Sequence, residues 1–130
     1  IIEINSCDSA DLEKLPGIGP VLSARIIKFR KLLGGFVTVE QLREVYGLRD
    51  STYTIISGRL RADTSLVLKI NVNTASFNEL ERHPYLERYE VQAILKYREI
   101  KGTVSGVGEL VGNGILSAEK ATRIKGYLTF

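Results

Sequence analysis

The chain has 130 residues, of which 44% are apolar and 25% are charged, and 18 Lys and Arg against 15 Asp and Glu give a net charge of +3. This composition excludes wholesale disorder, and no apolar run approaches the ~20 residues that span a bilayer. The single cysteine, Cys7, excludes an internal disulfide, and the single histidine, His83, excludes a metal site built on paired histidines.

The sequence is a tandem repeat. An ungapped shift that places Asn5 on Asn73 aligns the first half of the chain with the second. Identical pairs include Pro16/Pro84, Ile26/Ile94, Arg30/Arg98, Gly34/Gly102, Leu42/Leu110, Leu48/Leu116 and Gly58/Gly126. We therefore predict two copies, residues 1–62 and 69–130, each near the lower size limit for a self-sufficient core.

Four short helices are predicted in each copy. In the first copy, Asp8 caps a helix that ends before Pro16, because the residue before a proline is pushed out of the α region. A second helix runs from about Pro20 to Leu33, a third covers about Val39–Tyr46, and a fourth begins near Asp50. No convincing strand pair is present. The predicted fold class is all-α, with two tandem four-helix units, each a pair of helical hairpins.

The loop Leu15–Pro20 between the first two helices is the strongest candidate site. Its two glycines, Gly17 and Gly19, allow positive φ and close approach of another group. The helix that follows presents unpaired N–H groups and a partial positive charge, which suit a phosphate. The alternative is a tight turn with a purely structural role.

Basic residues near this loop are the next candidates. Arg25 is predicted to contact phosphate, with Lys14 second. Lys28 and Lys31 share a helix face with Arg25, and a solvated surface explains that spacing equally well. His83 is predicted to be a structural helix-end residue, and Cys7 a small buried one.

The loop and its surroundings resemble the helix-hairpin-helix motif. The matching residues are Leu12, Leu15-Pro16-Gly17-Ile18-Gly19-Pro20, Ile26-Ile27 and Arg30. The lead-ins Asn5-Ser6-Cys7 and Asn73-Thr74-Ala75 resemble the Asn-Thr-Ala of ComEA-like competence proteins. The resemblance implies pairs of such motifs in compact units that hold double-stranded DNA by its phosphates. It also implies a monovalent cation held by loop carbonyls in some members, and a role in DNA uptake.

Carried onto this chain, the resemblance predicts phosphate contacts from a defined set of residues. These are the backbone N–H groups of Gly17, Ile18, Gly19 and Val21, assisted by Lys14, Arg25, Gly47 and Arg49. Members of the family often place Lys, Ser or Thr where Val21 and Leu22 stand, so side-chain contacts are lost there. The second hairpin, around Gly47, keeps only one glycine and has Arg49 at the place of the other.

The second copy departs further from the pattern. The residues aligned with Leu15–Pro20 are His83-Pro84-Tyr85-Leu86-Glu87-Arg88, so both glycines are gone and Glu87 would repel a phosphate. Its other hairpin retains only Gly114. We therefore expect a degenerate unit kept for shape or for a protein surface, with Tyr85 and Tyr89 as the better candidates for contact.

The sequence thus predicts a non-enzymatic module that binds double-stranded DNA without base specificity, with no small-molecule substrate. The rival is a structural or protein-interaction module, since an extrinsic photosystem subunit has a similar tandem-hairpin fold. A third hypothesis is an accessory domain of a nuclease, ligase or repair enzyme. The chain starts at Ile1 and has no methionine, so we expect a fragment or processed product. The resemblance suggests a membrane-anchored or extracytoplasmic protein if an anchor lies upstream.

Overall fold

A computed structural model describes residues 1–130 and divides them into unit 1, Ile1–Val67, and unit 2, Leu68–Phe130. Both are mostly helical, as predicted. The longest helices have 14 residues each, and none combines the length and apolar composition that a membrane span requires.

Unit 1 contains the helices in the predicted order. They are α1 (Ser9–Glu13), α2 (Pro20–Leu33), a 3₁₀ helix (Val39–Glu44) and α3 (Asp50–Ile56). The Asp8 carboxylate accepts the Asp11 N–H at 2.8 Å and so caps α1. Gly34, at φ 89°, ends α2 in the left-handed conformation that glycine adopts readily. Both ends were predictable because capping residues and glycines act locally.

The third helix differs from its prediction. It is a 3₁₀ helix rather than an α-helix, and it ends at Glu44, two residues before Tyr46. Residues three apart lie on the same side of a 3₁₀ helix, and Val39, which is half-buried, and Leu42, which is buried, have this spacing. The burial of these two side chains therefore favours the tighter helix.

Unit 2 repeats the order of unit 1. Its helices are α4 (Phe77–Glu81), α5 (Arg88–Lys101), α6 (Val107–Gly112) and α7 (Ala118–Ile124). The core of each unit consists of aliphatic residues from all four helices, with Leu12, Ile26, Leu42 and Ile56 in unit 1 and their repeat partners Leu80, Ile94, Leu110 and Ile124 in unit 2, all fully buried. The apolar identities between the copies are therefore core positions.

Each unit also contains a short strand pair, which the sequence analysis does not predict. In unit 1, β1 (Ile2–Glu3) pairs in parallel with β2 (Leu60–Arg61). In unit 2, β3 (Ile70–Asn71) pairs in parallel with β4 (Leu128–Thr129). Parallel strands need no local turn signal, and these lie at opposite ends of each unit. A hairpin pattern is therefore absent from the sequence.

The repeated asparagine and arginine fix the start of each unit. The Asn5 amide donates to the Phe36 carbonyl at 2.9 Å and accepts the Phe36 N–H at 2.6 Å. Arg30 donates to the Ile4 and Cys7 carbonyls at 3.1 and 2.8 Å. In unit 2 the Asn73 amide donates to the Val104 carbonyl. Arg98 donates to the carbonyls of Val72 and Ala75. These identities are structural.

Glu3 makes unit 1 sensitive to acid. Burial opposes ionisation of its carboxyl, but the N–H groups of Asp63 and Asn5, at 2.7 and 3.0 Å from Oε2, outweigh it and lower the pKa below 4.5. A carboxyl whose pKa is lowered by folding stabilises the folded state at pH values above its pKa in the unfolded chain. This stability is lost as the pH falls through its pKa in the folded protein. We expect the Asn5 amide proton to titrate by NMR with a midpoint below the ordinary pKa of a glutamate carboxyl. A midpoint at or above that value would contradict the assignment.

The matched control comes from the repeat. Asn71 stands at the position of Glu3 in unit 2 and accepts the Asn73 N–H at 2.9 Å without a charge. A Glu3→Asn variant should keep unit 1 folded and abolish the acid titration of the Asn5 amide proton.

Candidate nucleic-acid interface

The first hairpin of unit 1 is a tight turn that depends on Gly17. The Ile18 N–H donates to the Leu15 carbonyl at 3.1 Å, and Gly17 has φ 82°. Proline followed by a residue at positive φ is the pattern of a type II turn, with Pro16 supplying the proline here. A Cβ on Gly17 would also lie 3.0 Å from Thr52 Cγ2. Any other residue at position 17 would therefore strain the turn.

The turn leads into an uncapped helix N-terminus. Gly19 is the N-cap of α2 and has no side chain with which to cap it, and Pro20 has no N–H. The N–H groups of Gly19, Val21 and Leu22 precede the first intrahelical bond and find no acceptor in the protein. The N–H of Gly17 has no acceptor either. These four donors and the dipole of a 14-residue helix are the chemistry that suits an anion.

Ile18 has a different role from the one predicted. Its N–H closes the turn, and its side chain is buried. The prediction that Ile18 donates to phosphate is corrected, because its hydrogen is already used. Leu22 supplies the donor that the sequence analysis does not name, although an uncapped start at Pro20 implies it.

The second hairpin of unit 1 has the same turn geometry. The Leu48 N–H donates to the Val45 carbonyl at 3.1 Å, and Gly47 has φ 86°. Arg49 is the N-cap of α3 and makes no capping hydrogen bond. Asp50 lies in the first turn of α3, where its carboxylate offsets the positive end of the helix. The second hairpin is therefore a weaker anion site than the first.

The two hairpins of unit 1 lie against each other. A Cβ on Gly17 would contact Thr52, in the first turn of α3, and a Cβ on Gly47 would contact Leu22, in the first turn of α2, at 3.6 Å. Each loop therefore packs on the helix that follows the other loop. This reciprocal packing brings Gly17, Gly19 and Val21 together with Gly47 at one end of the unit.

Arg25 lies at the second hairpin rather than the first. Its Nη1 donates to the Tyr46 carbonyl at 3.2 Å, and its guanidinium carbon lies 4.8 Å from the centroid of the Tyr46 ring. A Cβ on Gly47 would overlap Nη1. The prediction that Arg25 serves the first loop is corrected, because packing between the hairpins directs the side chain to Tyr46.

Lys14 makes no contact with either loop. Its ammonium lies 3.9 Å from the Asp11 carboxylate, and the Lys14 and Asp11 side chains are 75% and 43% exposed. An exposed pair of this kind contributes little to stability and is easily exchanged for another anion. Lys14 thus remains available beside the first hairpin.

The corresponding loop of unit 2 uses its donors internally. Tyr85 replaces Gly17 and has a negative φ. Its N–H donates to Nδ1 of His83 at 3.1 Å. The His83 ring is buried and packs 5.2 Å from the Tyr85 ring and 4.7 Å from the Tyr127 ring. Tyr85 is buried as well, so its predicted place in an exposed contact patch is wrong, whereas Tyr89 is exposed.

Carboxylates cap the helix that follows this loop. Glu87 replaces Gly19, and its side chain accepts the Glu90 N–H while Glu90 Oε1 accepts the Glu87 N–H at 2.8 Å. The Lys120 ammonium lies 3.0 Å from Glu90 Oε1 and donates to the Tyr85 carbonyl at 2.5 Å. Three of the four donors that are open in unit 1, those of Gly17, Gly19 and Leu22, are therefore occupied by the protein's own side chains at the equivalent positions of unit 2.

A side chain also caps the helix that follows the second hairpin of unit 2. Ser117 Oγ accepts the Lys120 N–H at 3.0 Å, and the Gly114 and Leu116 N–H groups donate to backbone carbonyls. Unit 1 thus has more backbone donors without an acceptor in the protein than unit 2 has at the equivalent loop.

The structure contains no group of three or more His, Cys, Asp or Glu side chains that could hold a metal ion. A monovalent cation, implied by the family resemblance, would need carbonyl oxygens instead. The Gly17 and Ile18 carbonyls accept no hydrogen bond within the protein, so the first hairpin offers such oxygens. The Cys7 thiol is buried, and burial raises its pKa, which makes it unreactive.

Comparison with known proteins identifies the repeated unit. A family model described as the helix-hairpin-helix motif matches residues 1–61 and again residues 67–129. A Xenopus laevis protein named "Endonuclease/exonuclease/phosphatase family domain-containing protein 1" is 28% identical over 131 residues, which cover 85% of this chain and 24% of that protein. The chain therefore spans about a quarter of that relative's length. No solved structure was found to match.

Proposed function

Because this chain belongs to the helix-hairpin-helix family, we propose that unit 1 binds double-stranded DNA through its phosphates without reading the bases. Helix-hairpin-helix motifs suggest nucleic-acid binding in general. The observation that carries the finer proposal is the set of open N–H groups on Gly17, Gly19, Val21 and Leu22. Backbone donors at a helix N-terminus hold phosphate, and contacts to phosphate carry no sequence information.

Unit 2 supports this assignment by contrast. Three of its four equivalent donors are satisfied by His83, Glu87 and Glu90, and a phosphate would have to displace carboxylates. Under this proposal unit 2 orients unit 1 on DNA or docks a protein partner through exposed residues such as Tyr89. The chain acts as a binding module and not as an enzyme.

Two settings for the module follow from different resemblances. The ComEA-like lead-in Asn5-Ser6-Cys7 supports a role in DNA uptake. The Xenopus laevis relative, whose name refers to an endonuclease/exonuclease/phosphatase domain, supports an accessory DNA-binding part of a larger protein. The full-length gene separates them: a membrane anchor upstream favours uptake, and a catalytic domain favours the accessory module.

Salt dependence of binding tests the proposal directly. We expect fluorescence anisotropy with a labelled duplex to show weak binding at low salt. The slope of log K against log salt should be about −2 to −3, as for two or three neutralised phosphates. Duplexes of different sequence should bind equally. Absence of binding by the folded protein at low salt would refute the proposal and favour the protein-interaction module.

A further inference from the structure

An open groove of about 330 Å³ lies on unit 1 between α2 and the second hairpin. Phe29 and Leu32 from α2 and Val45 and Tyr46 from the hairpin line it. Its volume is at the lower end of the range for small-molecule sites, about 300–1,000 Å³. Aromatic and aliphatic walls of this kind accept a flat ring.

Tyr46 is an exposed aromatic ring that the protein holds in place. The residue is 81% exposed, yet Arg25 donates to its carbonyl at 3.2 Å and stacks its guanidinium on the ring. The neighbouring Gly47, at φ 86°, leaves room for this guanidinium. A ring presented to solvent with little freedom to move is suited to stacking on a nucleobase, since less entropy is lost on binding.

The charges at the groove match a nucleotide. Arg25 and Lys28 also line it, and a guanidinium with one donor engaged still has four N–H groups for a phosphate. Glu44 adds a carboxylate at the same groove, an acceptor for the amino group of a base. Cations for the phosphate, an aromatic ring for the base and a carboxylate for its edge therefore meet at one place.

We propose that this groove takes the base of an unpaired nucleotide, so that the protein prefers DNA in which a single strand adjoins a duplex. The inference rests on the proposed function, because the second hairpin lies beside the open donors of the first and would meet the same DNA. Bases within a duplex are stacked and cannot enter a groove, whereas an unpaired base enters without the cost of unpairing.

A pair of DNA probes tests the groove separately from duplex binding. One is a blunt duplex, and the other is the same duplex with a short single-stranded tail. We expect the wild-type protein to bind the tailed probe about tenfold more tightly, as for one base stacked on an aromatic ring. Tyr46→Ala should lower the affinity for the tailed probe to the affinity for the blunt duplex. Tyr46→Phe should retain the preference for the tailed probe.

Ile100→Ala is the control, because Ile100 is 70% exposed in unit 2 and outside the groove. It should change neither affinity. A 5-iodouracil in the tail should photocrosslink to Tyr46. Equal affinity of the wild-type protein for the two probes, or a crosslink only at other residues, would overturn the proposal that the groove takes a base. Either result would leave the proposal of duplex binding intact. Failure to bind either probe would overturn both proposals.

Discussion

Replacing Gly19 by glutamate is expected to weaken binding of duplex DNA about 10- to 100-fold while leaving unit 1 folded. The new carboxylate would lie at the N-terminus of α2, where it would repel a phosphate and compete for the open donors. Glu87 occupies the equivalent position in unit 2, so the fold accepts this residue. Losing a charge-assisted hydrogen bond weakens affinity by about 10- to 100-fold, measured by anisotropy at low salt.

Position 19 separates binding from folding in a way that position 17 does not. Gly19 has φ −99°, and a Cβ there meets nothing within 4 Å. Gly17 has positive φ and would contact Thr52, so a variant at that position would lose binding through strain as well as through charge. Gly19→Glu therefore changes the electrostatics with little change in packing.

Two control variants complete the test. Gly19→Ala adds a side chain without charge and should bind like the wild type. Gly58→Glu adds the same charge to open space beyond the end of α3, and should lose little affinity. Slow reaction of the buried Cys7 thiol with a thiol reagent confirms that unit 1 stays folded. Equal losses from Gly19→Glu and Gly58→Glu would mean that net charge, and not the α2 N-terminus, determines binding.

The parts of the fold that could be predicted are those set by local chemistry. The bounds of α2 follow from Pro20 and Gly34, and the cap of α1 follows from Asp8, because each acts within one helical turn. The strand pairs could not be predicted, since β1 and β2 come from opposite ends of unit 1.

The candidate site shows the same division. The glycine loop was visible as a pattern, and the open donors follow from the missing cap at Gly19. The position of Arg25 depends on packing between two hairpins, which sequence spacing does not encode. Burial of Tyr85 depends on His83 and Tyr127, the latter distant in sequence. Long-range packing therefore accounts for the wrong predictions at Arg25 and Tyr85.

The buried ion pair of unit 2 leads to a prediction about stability. Glu90 and Lys120 stand at the positions of Leu22 and Thr52 in unit 1. Their side chains are 5% and 18% exposed and 3.0 Å apart. We expect Lys120→Thr to lower the free energy of unfolding of unit 2 by about 3–5 kcal/mol, because it leaves the Glu90 carboxylate buried without its cation. The Tyr85 carbonyl also loses its donor. Urea unfolding followed by far-UV circular dichroism measures the change.

The double variant Glu90→Leu/Lys120→Thr tests whether the uncompensated charge is the cause. It installs both unit 1 residues and leaves no buried charge, so it should be more stable than Lys120→Thr alone. Lys125→Thr, which removes an exposed lysine from the same unit, should change stability by less than about 0.5 kcal/mol. If the double variant is no more stable than Lys120→Thr, the loss comes from the hydrogen bonds to the loop and not from the stranded carboxylate. If Lys120→Thr has the same free energy of unfolding as the wild type, the ion pair between Glu90 and Lys120 does not stabilise unit 2.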